Sequence, residues 1–202
     1  MSSTGPGAGG AFGVVLAAGA GRRMGQPKAL VTDGRGSWLL RAVAVLEAGG
    51  CSGVGVVLGA GAEQARRVLA AHPHIVVGTA TRWRSGLSAS LAAALDLAAA
   101  HEADALVVTL VDLPDLPAGA VRRLLAAVGA DPGAAGRASY QGRPGHPVVL
   151  GRSHWTPLRA GLRDDSGARD YLSQVAHVVV ECGDLGSGED ADTVEGLLPL
   201  LE

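Results

Sequence analysis

A short apolar run, Gly13-Val14-Val15-Leu16-Ala17-Ala18, empties into Gly19-Ala20-Gly21-Arg22-Arg23-Met24-Gly25-Gln26-Pro27-Lys28, and no other stretch constrains the fold as much. The run is long enough for one buried strand and no more. Three glycines then fall within seven residues, two arginines sit between them, and a lysine follows the last. A strand feeding a glycine-rich loop is how an α/β protein brings backbone N–H groups against phosphates, which side chains at those positions would hold away. Two common loops of this kind are excluded by spacing. The dinucleotide fingerprint G-x-G-x-x-G runs straight into a helix, whereas here Gly19-x-Gly21-x-x-x-Gly25 is followed by Pro27, which interrupts any helix begun in the loop. A P-loop needs Gly-Lys-Ser/Thr in sequence, and Gly25 is followed by Gln26.

Composition singles out Lys28 independently. It is the only lysine, set against sixteen arginines; isoleucine occurs once, at Ile75, and asparagine not at all. A lysine kept against such a bias points to a need for a compact, rotatable ammonium rather than a planar fork. The 202 residues suffice for one sizeable domain, and a net charge of −2 argues against nucleic acid or an anionic membrane as the main partner. No window reaches the length of a membrane span. Cys51 and Cys182 lack metal-ligand or C-x-x-C spacing, which fits a reduced, cytoplasmic setting. Residues 1–11 carry neither charge nor periodicity and read as a flexible tail, leaving residues 12–202 as the folded domain.

After the loop, Asp33-Gly34-Arg35-Gly36 is a turn, and Ser37 can cap a helix whose apolar positions Leu39, Leu40, Val43 and Leu46 follow helical spacing. Strands are expected at Val54–Leu58 and Ile75–Val77, with a helix over residues 62–71 between them. This alternation predicts parallel βαβ units in a helix-covered sheet. Ser88 or Ser90 can cap the alanine-rich helix that runs to about residue 100, and Gly86-Leu87-Ser88 offers free N–H donors to a ligand. Ala105 to Leu110 is the strongest strand signal, and Asp112 follows it at the position where open α/β sheets bind ligands. A hard cation such as Mg²⁺ takes one or two carboxylates plus substrate phosphates in such a place. Asp115 reads as the N-cap of a helix over residues 117–128. Past residue 130 the rhythm breaks into a small β-hairpin insertion around Tyr140–Gly145. Asp190 and Asp192, two apart in a turn before the last helix, can face one metal, or one of them can simply cap that helix.

The run L-A-A-G-x-G-x-R-M-G-x-P-K at residues 16–28 closely resembles the nucleotide-binding signature of the molybdenum-cofactor nucleotidyltransferases. Further segments resemble that family in the expected order: W-x-x-G-L-S-x-S-L from Trp83, the acidic Asp112 after its strand, G-H-P-V at residues 145–148, Asp164-Asp165-Ser166-Gly167-Ala168-Arg169 against G-D-x-G-A-R, and D-x-D-T near the end. Departures are Asp164, where relatives carry glycine, and Val194 and Gly196, where they carry proline and an acid. The resemblance implies a single Rossmann-like, three-layer α/β domain with a mostly parallel sheet. It implies that Leu16, Ala17, Ala18, Gly19, Gly21, Arg23 and Lys28 bind the nucleotide together with Gly86, Leu87 and Ser88. Catalysis would fall to Lys28, Arg22 and Asp112, and Mg²⁺ to Asp112 with Asp190 or Asp192. His146 and Arg169 would meet the second substrate, although a lone histidine is as readily structural and Arg169 can instead pair with Asp165.

The implied reaction carries CMP from CTP to the terminal phosphate of molybdopterin and releases pyrophosphate. A molybdoenzyme or its chaperone is the implied protein partner, with no nucleic acid and no membrane. Leu16-Ala17-Ala18-Gly19 is the cytidylyltransferase form, the related guanylyltransferases carrying glycine at the position of Ala18. Alternatives are a guanylyltransferase of the same family, a transferase acting on a sugar phosphate or other phosphorylated alcohol, a redox protein binding a dinucleotide, and a nucleotide-binding regulator without chemistry.

Overall fold

The computed structural model describes residues 9–164 and 166–191. In chain order, β1 (Ala11–Ala17) leads through the glycine loop to a small antiparallel pair, β2 (Thr32–Asp33) and β3 (Gly36–Ser37), then α1 (Trp38–Ala48), β4 (Gly53–Leu58), α2 (Ala62–Leu69), β5 (Val76–Thr79), α3 (Leu87–Ala100), β6 (Ala105–Leu110) and α4 (Ala118–Val128). The hairpin β7 (Ala135–Tyr140) and β8 (Arg143–Gly151) follows, then α5 (Trp155–Gly161), α6 (Ala168–Leu172) and β9 (Val178–Glu181). β1 begins at Ala11, one residue inside the segment read as tail, because Gly10 O already accepts from the Asp104 and Ala105 amides.

The seven-stranded sheet runs β5-β4-β1-β6-β8-β7-β9, with β8 alone antiparallel to its neighbours. The hairpin expected past residue 130 is therefore part of the main sheet: β8 pairs with β6 in the register Val107↔Val149. The two faces carry separate cores. Val15, Val56 and Val107 pack with α1, α2 and α4 on one side, while Val14, Val57 and Val108 pack with α3, α5 and α6 on the other. Strands covered on both faces must be apolar at every position, which is why β1 reads as an unbroken apolar run.

Local signals set several ends. The Ser37 hydroxyl accepts from the Leu40 amide at 3.4 Å and caps α1. Asp33 accepts from Arg41 through both carboxylate oxygens and from Trp38 Nε1 at 2.9 Å, which ties the β2–β3 turn to α1; Arg41 holds its carboxyl far below the usual range. Two expected caps are corrected. α3 starts at Leu87 behind Gly86, with no side-chain cap, so neither Ser88 nor Ser90 caps it. α4 starts at Ala118 behind Pro117, and Asp115 instead accepts from Arg35 at 2.9 Å.

The sheet order fixes where a ligand can enter. From β1 the chain moves outward to β4 and β5, then α3 carries it back to β6 on the other side of β1. Leu16 is in register with both Val57 and Leu110, so the loops after β1 and β6 leave the sheet side by side at its switch point.

Candidate active site

The glycine loop leaves β1 as a 3-10 turn, Arg22–Met24, held between Gly21 and Gly25. Both glycines have left-handed backbone, at φ 58° and 71°. Gly21 is fixed more tightly, because a Cβ there would lie 2.0 Å from Gln26 O. Met24 is buried beneath the turn and Pro27 opens a second turn, Lys28–Leu30, closed by the Leu30 amide on Pro27 O at 2.9 Å. This geometry brings Lys28 back over the end of β6, where its Nζ donates to Asp112 Oδ2 at 2.6 Å across 84 residues of sequence. Both side chains are largely buried, at 14% and 16% exposed.

These groups line a cleft of about 420 Å³. Of the sequence-expected residues, Leu16, Ala18, Gly19, Gly21, Arg22, Arg23, Lys28, Leu87 and Asp112 meet there. Ala17 does not: it is 1% exposed and packs in the core on the opposite face of β1. Gly86 lies in an adjoining hollow with Gly19, Gly21 and Trp83, over whose ring Arg84 stacks at 4.5 Å. The Ser88 amide donates to Asp164 O at 3.1 Å, so it serves the neighbouring loop, and Ser90, Leu110 and Val111 complete the cleft. Ser90, a cap candidate and a member of the W-x-x-G-L-S-x-S-L segment, stands one helical turn after Gly86, which is the signal that it could face the loop.

A second pocket, of about 270 Å³, shares Leu16, Leu87 and Leu110 with the cleft. His146 and Arg169 both lie in it, as does Arg137 of β7, for which the sequence carries no local signal of burial. His146 Nδ1 is 3.3 Å from Val108 O, and burial pushes the imidazole below its ordinary pKa, reinforced by the Arg137 charge against the pull of that carbonyl and of Asp112. At neutral pH it is therefore uncharged. A carbonyl only accepts, so Nδ1 carries the proton and Nε2 offers a lone pair. Asp164 takes φ 43° itself, at the position where a glycine was expected.

The metal set is less complete. Asp112 lines the cleft, whereas Asp190 lines a separate hollow with Tyr140 and Arg143, although the next amide, Ala191, donates to Asp112 O at 2.9 Å. Asp192 lies outside the described residues, among which no group of three or more His, Cys, Asp or Glu side chains could hold a metal. A single carboxylate beside a cleft wide enough for a substrate triphosphate still fits Mg²⁺, which keeps waters and substrate oxygens as its other ligands. No helix among the described residues is long and apolar enough to cross a membrane.

The family described as the MobA-like NTP transferase domain matches residues 13–178. The chain is 38% identical over 200 residues to the nicotine blue oxidoreductase of Paenarthrobacter nicotinovorans, covering 94% of this chain and 95% of that one. Among solved structures it is similar to Rv0371c from Mycobacterium tuberculosis H37Rv, with a TM-score of 0.77, 28% identity, and 96% and 99% of the two chains covered. A manganese complex of that protein matches with a TM-score of 0.70 and 27% identity over 95% and 98%. A nucleotidyl transferase from Methanothermobacter thermautotroptrophicus shares the fold, with a TM-score of 0.79 at 19% identity over 95% and 96%.

Proposed function

The chain belongs to the family of MobA-like NTP transferase domains, and on that premise we propose that it moves a nucleotidyl group from an NTP to a phosphorylated acceptor. The observation that carries the reading is the 2.6 Å contact of Lys28 with Asp112 inside the cleft that the glycine loop encloses. A phosphate oxygen of the acceptor attacks the α-phosphorus in line, the bond from that phosphorus to the bridging oxygen breaks, and pyrophosphate leaves with that electron pair. Because the attacking phosphate is already a nucleophile, no Ser/His/Asp triad is needed. The chain contributes position and charge. Loop amides and Arg22 or Arg23 hold the β- and γ-phosphates, Lys28 offsets charge at the reacting ones, and Leu87 with the first turn of α3 closes the side of the cleft. Asp112 would hold Mg²⁺, with Asp190 or Asp192 as the second carboxylate. The ion would supply charge neutralisation at the α-phosphate.

The preferred donor is CTP, supported by Ala18, a buried methyl in the cleft wall where the guanylyltransferase form has glycine. One methyl discriminates by only about 1–3 kcal/mol. The preferred acceptor is molybdopterin, handed on to a molybdoenzyme or its chaperone. Both cysteines are free, which suits a protein kept in the reducing cytoplasm.

A second reading comes from the 38% identical relative, which is named as an oxidoreductase acting on nicotine blue. The loop spacing speaks against a dinucleotide here, since Pro27 follows where the fingerprint would enter a helix. One assay separates the readings. Pyrophosphate release is screened with four NTPs against several phosphorylated acceptors, molybdopterin included, with and without Mg²⁺. A parallel arm follows NADH oxidation with nicotine blue and no metal. The expected result is Mg²⁺-dependent release with CTP above GTP, a margin that Ala18→Gly narrows. Dye reduction without pyrophosphate release would establish the oxidoreductase instead, and a preference for GTP would overturn the cytidylyl assignment alone.

A further inference from the structure

The second pocket contains a buried guanidinium that no described carboxylate pairs, although Asp170 also lines the pocket. Arg137 projects from β7 and is 9% exposed. Its Nε is buried without a hydrogen-bond partner, and Nη2 makes only a 3.5 Å contact with Gly145 O. Among the described residues no carboxylate forms an ion pair with Arg137 or Arg169. Burial, with the nearby charge of Arg169, pulls the Arg137 guanidinium below its ordinary pKa. Leu16, Leu91, Val108 and Val148 wall the pocket around Arg137, so water does little to relieve its charge, whereas Arg169 and Asp170 lie at the exposed rim. A guanidinium held in this way destabilises the empty fold, and an anion entering the pocket would reverse the penalty.

We propose that Arg137, with Arg169 beside it, binds an oxyanion, a carboxylate or a phosphate, carried on the apolar body of the second substrate. The leucine and valine walls take the body, and the unpaired Nε and the outer nitrogens of Arg137 take the anion, for which a guanidinium fork is well matched. The pocket opens to the nucleotide cleft past Leu16, Leu87 and Leu110, so a ligand seated there reaches toward the α-phosphate. Naming that ligand the acceptor rests on the transferase reading; its charge and apolar body rest on the pocket alone.

The test is thermal stabilisation of the full chain by two probes that share one apolar ring, benzoate for the carboxylate and phenyl phosphate for the phosphate. At least one should raise the wild-type Tm by about 3 °C or more near saturation. Lys28→Ala should keep that rise, which separates it from binding at the glycine loop. Arg137→Met, an apolar chain of similar reach, should lose more than about two thirds of the rise and, without ligand, melt no lower than wild type. Should Arg137→Met fail to fold, Arg169→Met alters an exposed side chain and should lose at least about half of the rise. The probe with the larger rise identifies the oxyanion. No rise with either probe, or a rise untouched by the arginine variant that folds, overturns the proposal. A chain that releases no pyrophosphate yet loses its benzoate or phenyl phosphate shift in Arg137→Met would sink the transferase reading and leave the anion pocket standing.

Discussion

Removing the Lys28 ammonium should cost the protein a modest part of its stability and nearly all of its turnover. Nζ lies 2.6 Å from Asp112 Oδ2, and the two side chains are 14% and 16% exposed. Such a pair falls between exposed ion pairs, worth about 0–1 kcal/mol, and fully buried ones, whose rupture costs about 3–5 kcal/mol. Lys28→Ala therefore destabilises by roughly 1–2 kcal/mol, a drop of ~2–8 °C in Tm for a chain of this size, and leaves the protein folded at assay temperature. Turnover responds more strongly. Deleting one preorganised donor at a centre of developing charge lowers kcat by about 10²–10³, equivalent to about 2.7–4 kcal/mol.

Lys28→Arg separates charge from shape. It restores the positive charge and some stability, but a planar fork cannot replace a compact ammonium that must serve a carboxylate and a phosphate in turn. The assays are pyrophosphate release for kcat, scanning calorimetry for Tm, and nucleotide Kd measured in an Asp112→Asn background. In that background Lys28→Ala should still weaken CTP binding at least tenfold, about 1.4 kcal/mol, because in the proposed reaction the lysine meets phosphate as well as Asp112. Wild-type kcat in Lys28→Arg, or no effect of Lys28→Ala on CTP affinity once Asp112 is asparagine, would refute the reasoning.

Two further outcomes test the surroundings. Gly21→Ala and Gly25→Ala each place a side chain in left-handed backbone at a cost of about 1–2 kcal/mol, but only the Gly21 methyl also meets Gln26 O at 2.0 Å. Gly21→Ala should therefore lower both Tm and CTP affinity more than Gly25→Ala, and equal losses would show that the Gln26 contact does not shape the loop. Glu181 accepts from Ser139 Oγ and from the Gln141, Gly142 and Gly183 amides, and these bonds lower its pKa from 4.5 to about 2. With the folded value depressed, its stabilisation is present above pH 4.5 and is lost as pH falls from there toward 2, so Glu181→Gln should flatten the plot of Tm against pH in that window; an unchanged acid limb would refute the assignment.

The parts of this fold that were legible in the sequence are those decided within a few residues. The β1 run, the loop glycines and the Ser37 cap depend on local period, backbone freedom and one hydroxyl. Asp112 was legible because a carboxylate just past a buried parallel strand has one natural place in an open sheet. Pairing across the chain was not legible. Asp115 carried a capping signal, but Arg35, 80 residues away, claims its carboxylate. Ser88 and Ser90 were equally good caps until Gly86, at φ 105° and ψ −172°, set the start of α3.

Arg137 shows the limit most clearly. Its neighbours Gly136 and Ala138 mark a small-residue strand, and an arginine in such a strand on an open edge would simply face water. β7 lies instead between β8 and β9, in register at Arg137↔Val148 and Arg137↔Val179, so both of its edges are taken. Which face the guanidinium then meets follows from the pairing of β8 with β6, since that pairing puts His146 and Val148 beside Val108 and closes the pocket over it. The same arginine is a solvated surface charge or a buried anion receptor according to where the hairpin docks, and no residue near it in sequence decides between the two.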